Sequence, residues 1–413
     1  MAHVMWQNTL ACRACGFNNL SPVFDFGDMP LADKLETVPD STSAAPRVPL
    51  SVLYCSRCSL SQLSVSVSPE LLFDSSYPYY SSVSPALQRH FAESAQSIIS
   101  KFGIGYGNLV VEAASNDGYM LRHFQAAGAR VIGFDPASGP ASVARNAGID
   151  TRIRFFGPEV ARELASSGER ADVFLANNVL AHVPDLTGFV AAIAEVLKSD
   201  GVAIIEVPYL ADMVERGEFD TIYHQHLCYF TLTSLEKLFA TAGMRLESVE
   251  RIGVHGGSLR LFAVHGSGSG DSTRRLVAIE QQNGWHELAF ADRIGDAANT
   301  VRHGLVTLTG ELKATGHTIC GYGAAAKAAT LLAWCGLDND SISFVSDLNS
   351  RKHGKFMPGT DLEICAPERI LEEQPDHVLI LAWNFADEIM QQLAAYRQLG
   401  GQFIVPIPNL RIL

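Results

Sequence analysis

The stretch IYHQHLCYF, residues 222–230, places His224 and His226 on either side of Gln225, with Tyr223 before them and Tyr229 after. Imidazole, with an unperturbed pKa of about 6.5, is the side chain suited to abstracting a proton at neutral pH. In extended chain, residues two apart point the same way, whereas a helical metal-binding pair stands four apart. The stretch holds no acidic residue to complete a metal shell. Proton transfer is therefore favoured over metal ligation, with packed structural histidines as the third reading.

Four of the eight cysteines form two pairs, Cys12 with Cys15 in CRACG and Cys55 with Cys58 in YCSRC. A Cys-x-x-Cys turn aims two thiolates at one point, and two such turns close a tetrahedral shell, so the metal is a structural zinc. A redox role is disfavoured because two matched pairs occur without a neighbouring βαβ pattern. Such a zinc helps a small module fold. The scattered Cys228, Cys320, Cys335 and Cys365 are expected to be buried small hydrophobes in a reducing compartment.

Alternating strand and helix patterns must position these groups. NLVVEAASNDGYML suggests a buried strand at 109–113, a turn of Ala114, Ser115, Asn116, Asp117 and Gly118, and then a helix. ARVIGFDP supplies a second strand ending in Asp135, and ADVFLAN (171–177) and GVAIIEVP (201–208) supply two more. This alternation predicts a parallel sheet covered by helices. Ligands of such sheets lie beyond the carboxyl ends of the strands, which gathers Glu112, the turn 114–118, Asp135 and Asn177 around one crevice. A small polar turn followed by an acid at the next strand end suits an adenosine-containing cofactor, the acid accepting the ribose hydroxyls. With a single glycine in EAASNDG, S-adenosylmethionine fits better than NAD.

After a mostly helical region, 273–316, HTICGYGAAAKAATLLAW again runs a strand into a Gly-x-Gly turn and a helix. SISFVSD, DHVLILAWNF and GQFIVPIPN add strand patterns, indicating a second, smaller nucleotide-fold unit. GYGAAAK lacks the third glycine of a dinucleotide fingerprint. Its helix N-terminus beside Lys327 suits the diphosphate of a nucleotide sugar, or the turn is a packed corner. VHGGSLR, 254–260, either offers His255 and Arg260 to phosphate or is a hairpin turn, and HGSGSGDST, 265–273, is the candidate hinge.

The expected fold class is α/β: a zinc-binding module over 1–70, a Rossmann-like S-adenosylmethionine domain over 71–265 and a Rossmann-like C-terminal domain over 266–413. A chain of 413 residues can build two to four such cores. No run approaches the roughly 18 continuous apolar residues of a membrane span. The start MAHVMWQNTL shows no basic region leading into an apolar one, so a cytoplasmic protein, with no membrane partner, is expected. A net charge of −13 opposes sequence-independent nucleic-acid binding, and no basic, aromatic-interleaved run offsets it. A monomer is expected.

In order along nearly the whole chain, CRACG, YCSRC, YPYYSS, EAASNDG, IYHQHLCYF, VHGGSLR, GYGAAAK and SDLNSRKHGKFMPG resemble the three-domain sugar C-methyltransferase family. They most resemble the C3-methyltransferases of thymidine diphosphate (dTDP)-linked keto-deoxysugars, in particular those leading to tetronitrose- and kijanose-type nitrosugars of antibiotics. The resemblance implies a C-terminal domain that closes over the nucleotide sugar. It implies His226 as general base, Tyr223 at the reacting sugar, and Tyr77 and His182 at further polar positions of the site. Tyr79, Tyr80, His224, Tyr322, Lys327 and Arg351 are the substrate contacts it suggests. At 225 the resemblance leads to Glu, whereas this chain has Gln, which keeps the size but cannot accept a proton. The implied reaction removes the C3 proton beside a C4 carbonyl and methylates C3. The 3-amino sugar is preferred over the 3-hydroxy sugar on resemblance alone. The runner-up enzyme is a nicotinamide oxidoreductase using GYGAAAK, and a zinc-ribbon nucleic-acid binder is a third class.

Overall fold

A computed structural model of the chain describes residues 5–40, 46–73 and 77–413. The strand Leu109–Ala113 is buried at every position, as in a parallel sheet covered on both faces. It sits inside a seven-stranded sheet ordered Met244–Ile252, Ser258–His265, Leu197–Pro208, Ala171–Asn177, Leu109–Ala113, Arg130–Phe134 and Thr151–Arg152. The first two strands pair antiparallel and the rest run parallel. The chain steps from Leu109–Ala113 to Arg130–Phe134 on one side and later returns to Ala171–Asn177 on the other. That reversal opens a crevice at the strands' carboxyl ends.

A second sheet repeats the device. Its order is Ile364–Cys365, Val345–Ser346, Ile319–Tyr322, His377–Ile380, Gln402–Val405 and Arg411–Ile412, parallel except for the last pair. The reversal lies between Ile319–Tyr322 and His377–Ile380. Gly323 stands at that point with φ +96°, and a Cβ there would come within 2.6 Å of Ala382 Cβ. The glycine is thus demanded by two strand ends approaching closely, which explains GYGAAAK without a dinucleotide.

In the N-terminal sheet, Arg47–Tyr54 alternates buried and more open residues, the period of a strand with one covered face. It pairs with Ser21–Pro30 and Ser61–Leu63. The fourth strand comes from far along the chain: Cys228–Tyr229, immediately after the histidine stretch, pairs with Ser61–Gln62. Gln62 is fully buried, its Oε1 accepting the Arg13 N–H at 2.8 Å and its Nε2 donating to Ala11 O at 3.0 Å. The strand that receives Cys228–Tyr229 is thereby tied to the cysteine loop.

The sulfurs of Cys12, Cys15, Cys55 and Cys58 lie within 4.8 Å of one another, with Cys12–Cys58 at 3.4 Å and Cys15–Cys55 at 3.6 Å. A tetrahedral zinc with Zn–S bonds near 2.3 Å spaces its sulfurs about 3.8 Å apart, so the donor set fits a closed structural zinc. Aromatic contacts join this module to the C-terminal unit: Phe24 and Phe26 meet Trp334 edge-on at 5.5 and 5.3 Å, and Trp334 Nε1 donates to Ala298 O at 3.0 Å.

Two sequence expectations change. Residues 265–273 are pinned rather than hinge-like, because Gly270 N–H and Thr273 Oγ1 both donate to Leu246 O, at 2.9 and 3.1 Å. Arg260 is buried against Glu206 at 2.8 Å, so its charge is neutralised within the sheet and does not reach a phosphate. Among the described residues no helix is long and apolar enough to cross a membrane.

Replacing Cys58 by Ser is expected to abolish the bound zinc, measured by metal analysis, and to lower the thermal midpoint, because the metal's binding free energy is folding free energy for this module. Full zinc content and an unchanged midpoint would contradict the closed four-thiolate site.

Candidate active site

Both crevices open into one cavity of about 630 Å³. Ala114, Asn116, Asp135 and Asn177 line it from the first sheet, and Tyr322, Gly323, Lys327, Asp347 and Lys352 from the second. Tyr77, Tyr79, Tyr80, His182, Tyr223, Gln225 and His226 also line it, as does Asp33 from the N-terminal module.

On the first side, Ala114, Asn116 and Gly118 adopt left-handed φ of 52°, 49° and 76°. This conformation is rare for alanine and holds the turn tightly curled. Asp135 Oδ2 accepts the Asn116 N–H at 2.9 Å, and its Oδ1 accepts the Ala137 N–H at 2.8 Å. Burial pushes its carboxyl up to about 6 against those two donors. A carboxylate held by backbone at a cavity wall, beside a curled backbone turn, fits the ribose of an adenosine-bearing cofactor.

The remaining predicted cofactor residues stand behind that wall. Glu112 is fully buried, and its Oε1 accepts from Asn177 Nδ2 at 3.1 Å and Tyr119 Oη at 3.3 Å. Burial raises its carboxyl to about 8, and it orients Asn177 rather than lining the cavity. Ser115 faces Gly133, where a Cβ would strike its hydroxyl. Gly118 packs against Ala144 and Ile149. Asp117 accepts the N–H and hydroxyl of Ser82.

Those last contacts belong to a strap, residues 77–84. Asn116 Oδ1 accepts the Ser81 N–H at 2.9 Å and Asn116 Nδ2 donates to Tyr79 O at 3.3 Å. From the other sheet, Asn349 Nδ2 donates to Pro78 O at 2.8 Å. The tyrosines of YPYYSS are thus suspended between the two crevices. Arg351 does not reach the cavity: exposed, it lies over the Tyr80 ring at 4.1 Å and braces that tyrosine from outside.

Residues 223–226 form a turn closed by His226 N–H on Tyr223 O at 2.9 Å, so the expected parallel aim of the two histidines fails. His224 turns into the N-terminal sheet, buried, with Nε2 donating to Val48 O at 3.1 Å. It is structural. His226 faces the cavity with Nδ1 at 2.9 Å from Thr221 O and Nε2 at 2.8 Å from Tyr223 Oη. A carbonyl oxygen can only accept, so the proton sits on Nδ1 and the Nε2 lone pair accepts from the tyrosine. Burial, with His182 next, holds the His226 imidazolium well below the usual range. His182 Nδ1 donates to Gln225 O at 2.7 Å, and burial brings its pKa down to about 4. Gln225 Nε2 donates to Asp33 Oδ2 at 3.3 Å.

On the second side, Asp347 copies Asp135. Its Oδ2 accepts the Ala324 N–H of the glycine turn at 2.7 Å, and its Oδ1 accepts the Asn349 N–H at 2.7 Å. Lys352 Nζ donates to Ala324 O at 2.7 Å, and Lys327 Nζ donates to Asn384 Oδ1 at 2.6 Å beneath the Trp383 ring. Tyr322 Oη donates to Gln392 Oε1 at 3.0 Å. Sequence reasoning passed over Asp347, Lys352 and Asp33. The strand-end rule that found Asp135 would have found Asp347, Lys352 stands next to the Arg351 that was chosen, and nothing in the sequence signals Asp33.

Family models match the chain in three consecutive segments: a zinc binding domain at 12–73, a methyltransferase domain at 87–249 and a C-methyltransferase C-terminal domain at 253–408. The chain is 36% identical over 405 residues to C-methyltransferase NovU of Streptomyces niveus, covering 97% of this chain and 96% of that protein. A ubiquinone biosynthesis O-methyltransferase of Azorhizobium caulinodans is 31% identical over 124 residues, 30% of this chain and 47% of that protein. Among solved structures, the magnesium protoporphyrin IX methyltransferase ChlM of Synechocystis PCC 6803 covers 43% of this chain and 79% of that chain, at 15% identity and a TM-score of 0.34. The similarity to NovU displaces the nicotinamide oxidoreductase reading. With a similarity to NovU that covers 97% of it, the chain belongs to the sugar C-methyltransferase family its motifs resemble, as an S-adenosylmethionine-dependent C-methyltransferase with a structural zinc.

Proposed function

We propose that the protein methylates C3 of a dTDP-linked 3-amino-4-keto-2,3,6-trideoxyhexose, with His226 as the base, in antibiotic deoxysugar biosynthesis in the cytoplasm. The observation that carries this reading is a buried imidazole whose Nδ1–H is donated to Thr221 O, leaving the Nε2 lone pair facing a cavity shared by two nucleotide-type crevices. Asp135 and the backbone of Ala114 and Asn116 hold the cofactor, which when bound supplies an electrophilic methyl group on a sulfonium. Asp347, braced as Asp135 is, supports a nucleoside on the opposite side, and Lys327 and Lys352 suit its diphosphate.

Carbon becomes a nucleophile here only through the neighbouring ketone, which acidifies the C3 proton. The substrate takes the place of the Tyr223 hydroxyl at His226 Nε2, and Nε2 removes that proton. A well-placed base contributes about 10² to 10⁴ in rate. The enolate oxygen at C4 then needs a donor. Burial raises the Tyr77 and Tyr223 hydroxyls well above the ordinary tyrosine range, so both keep their protons and can donate. His182 is a poorer donor than either tyrosine: its one neutral-state proton is committed to Gln225 O, which makes it a positioning residue for the turn.

Three outcomes follow from these assignments. His226→Asn is expected to abolish solvent exchange at C3 and methyl transfer while leaving S-adenosylmethionine affinity unchanged; retained deuterium exchange removes His226 from the role. Asp135→Ala removes charge-assisted bonds to two hydroxyls and is expected to weaken cofactor binding roughly 10- to 100-fold by calorimetry. An unaltered dissociation constant would falsify the ribose assignment. Because the His226 pKa is lowered, its neutral, basic form persists below the ordinary value of 6.5. At saturating cofactor, kcat should stay level as pH falls through 6.5 and drop only in more acid solution, and an acid limb centred at or above that value contradicts the buried neutral base.

A further inference from the structure

Asp33 lies just beyond the strand Ser21–Pro30, and its carboxylate is part of the cavity wall. The loop that carries it is held from both sides. Leu31 and Ala32 are buried, Lys34 N–H closes a turn on Leu31 O at 3.1 Å, and Glu36 and Phe356 exchange both backbone hydrogen bonds at 3.2 and 2.8 Å. The carboxylate is therefore preorganised, not a side chain on a loose tip.

Its surroundings leave it short of positive charge. Gln225 Nε2 gives one neutral hydrogen bond at 3.3 Å, while the nearby Lys352 is paired with Asp347 at 3.6 Å and donates to Ala324 O. Among the described residues no ion pair engages Asp33. Burial pushes its own carboxyl up, and after burial Asp33 is the next cause raising both Tyr77 and Tyr223, so its field reaches the reacting end of the cavity. A carboxylate in such a position gains most from a ligand group that brings both protons and positive charge.

We propose that Asp33 is the residue that selects the substituent at C3 of the sugar, binding a 3-amino group as its ammonium form in preference to a 3-hydroxyl. This rests on the substrate class proposed above. An ammonium offers three donors and no acceptor, matching the free lone pairs of Asp33, whereas a hydroxyl offers one donor and leaves the buried charge uncompensated. The choice also serves the chemistry, since an ammonium next to C3 withdraws electrons and further acidifies the proton that His226 removes. Gln225 fits this arrangement: its amide donates to Asp33, where a second carboxylate would repel it and force the two to share a proton.

The test compares dissociation constants of the dTDP-linked 3-amino-4-keto and 3-hydroxy-4-keto trideoxyhexoses for the full chain and for Asp33→Asn, with cofactor affinity and thermal midpoint as controls of folding. The expected result is an amino sugar bound roughly 10- to 100-fold more tightly than the hydroxy sugar by the unaltered protein, with that preference lost in Asp33→Asn. Equal affinity of the unaltered protein for the two sugars, or an equal loss for both in the variant, overturns the assignment, and the first comparison needs no variant to fold. Binding is read without turnover. Selective binding of the amino sugar without methyl transfer would sink the proposed reaction and leave Asp33 in place, whereas equal methylation of both sugars by both proteins does the reverse.

Discussion

A two-residue strand pairing holds this molecule's chemistry in place. Cys228–Tyr229 hydrogen-bonds with Ser61–Gln62, and Leu63 N–H reaches Leu227 O at 2.9 Å. Gln62 passes that constraint to the Cys12–Cys15 loop, so the metal cluster, the N-terminal sheet and the histidine turn form one mechanical unit. His226 is presented to the cavity from a scaffold that belongs to a different segment of chain. The four-cysteine site thereby bears on how His226 is aimed through backbone geometry, the kind of support the proposed base requires.

Desolvation is the second organising influence, and it acts in opposite directions on opposite kinds of group. Buried imidazoles at 182, 226 and 255 are driven toward the neutral form, while buried tyrosines keep their protons and buried carboxyls such as Glu112 and Glu218 are pushed up to about 8. The cavity thus holds neutral imidazoles beside protonated hydroxyls, the protonation pattern that the proposed enolate chemistry needs. The same histidines lower stability in acid. With folded pKa values below the unfolded 6.5, the unfolded chain binds more protons there, and stability is lost progressively as pH falls from about 6.5 through the folded values, about 4 for His182 and His255.

The two sheets solve the same problem twice. Asp135 and Asp347 each end a second strand, and each uses one carboxylate oxygen on the turn after the first strand and the other on its own next loop. What differs is the company they keep. Asp135 faces a wall of backbone, whereas Asp347 is joined by Lys352, and Lys327 stands beneath Trp383 nearby. One crevice suits a neutral ribose and the other a phosphorylated partner, and the strap 77–84 is hydrogen-bonded to both.

Local pattern in the sequence was enough to specify four parallel strands of each sheet, the cysteine cluster, the turn at 114–118 and Asp135, because each depends on neighbours within a few residues or on a fixed ligand geometry; the antiparallel pair Met244–Ile252 and Ser258–His265 went unread. It could not specify aim. Whether His224 and His226 diverge depends on a turn rather than an extended stretch, and the partners that decide it, Val48 O and Thr221 O, lie in different parts of the chain. Arg351 failed as a ligand for the same reason: its charge is typical of phosphate sites, but its direction is set by Tyr80, more than two hundred residues away. Asp33 left no trace in any motif, since one acid in an N-terminal loop gains meaning only when the C-terminal unit and the histidine turn close around it. Residue chemistry and short-range pattern named the groups that can react; long-range packing alone chose which of them face one another, because contact across a cavity is a property of three dimensions and leaves no periodicity in one.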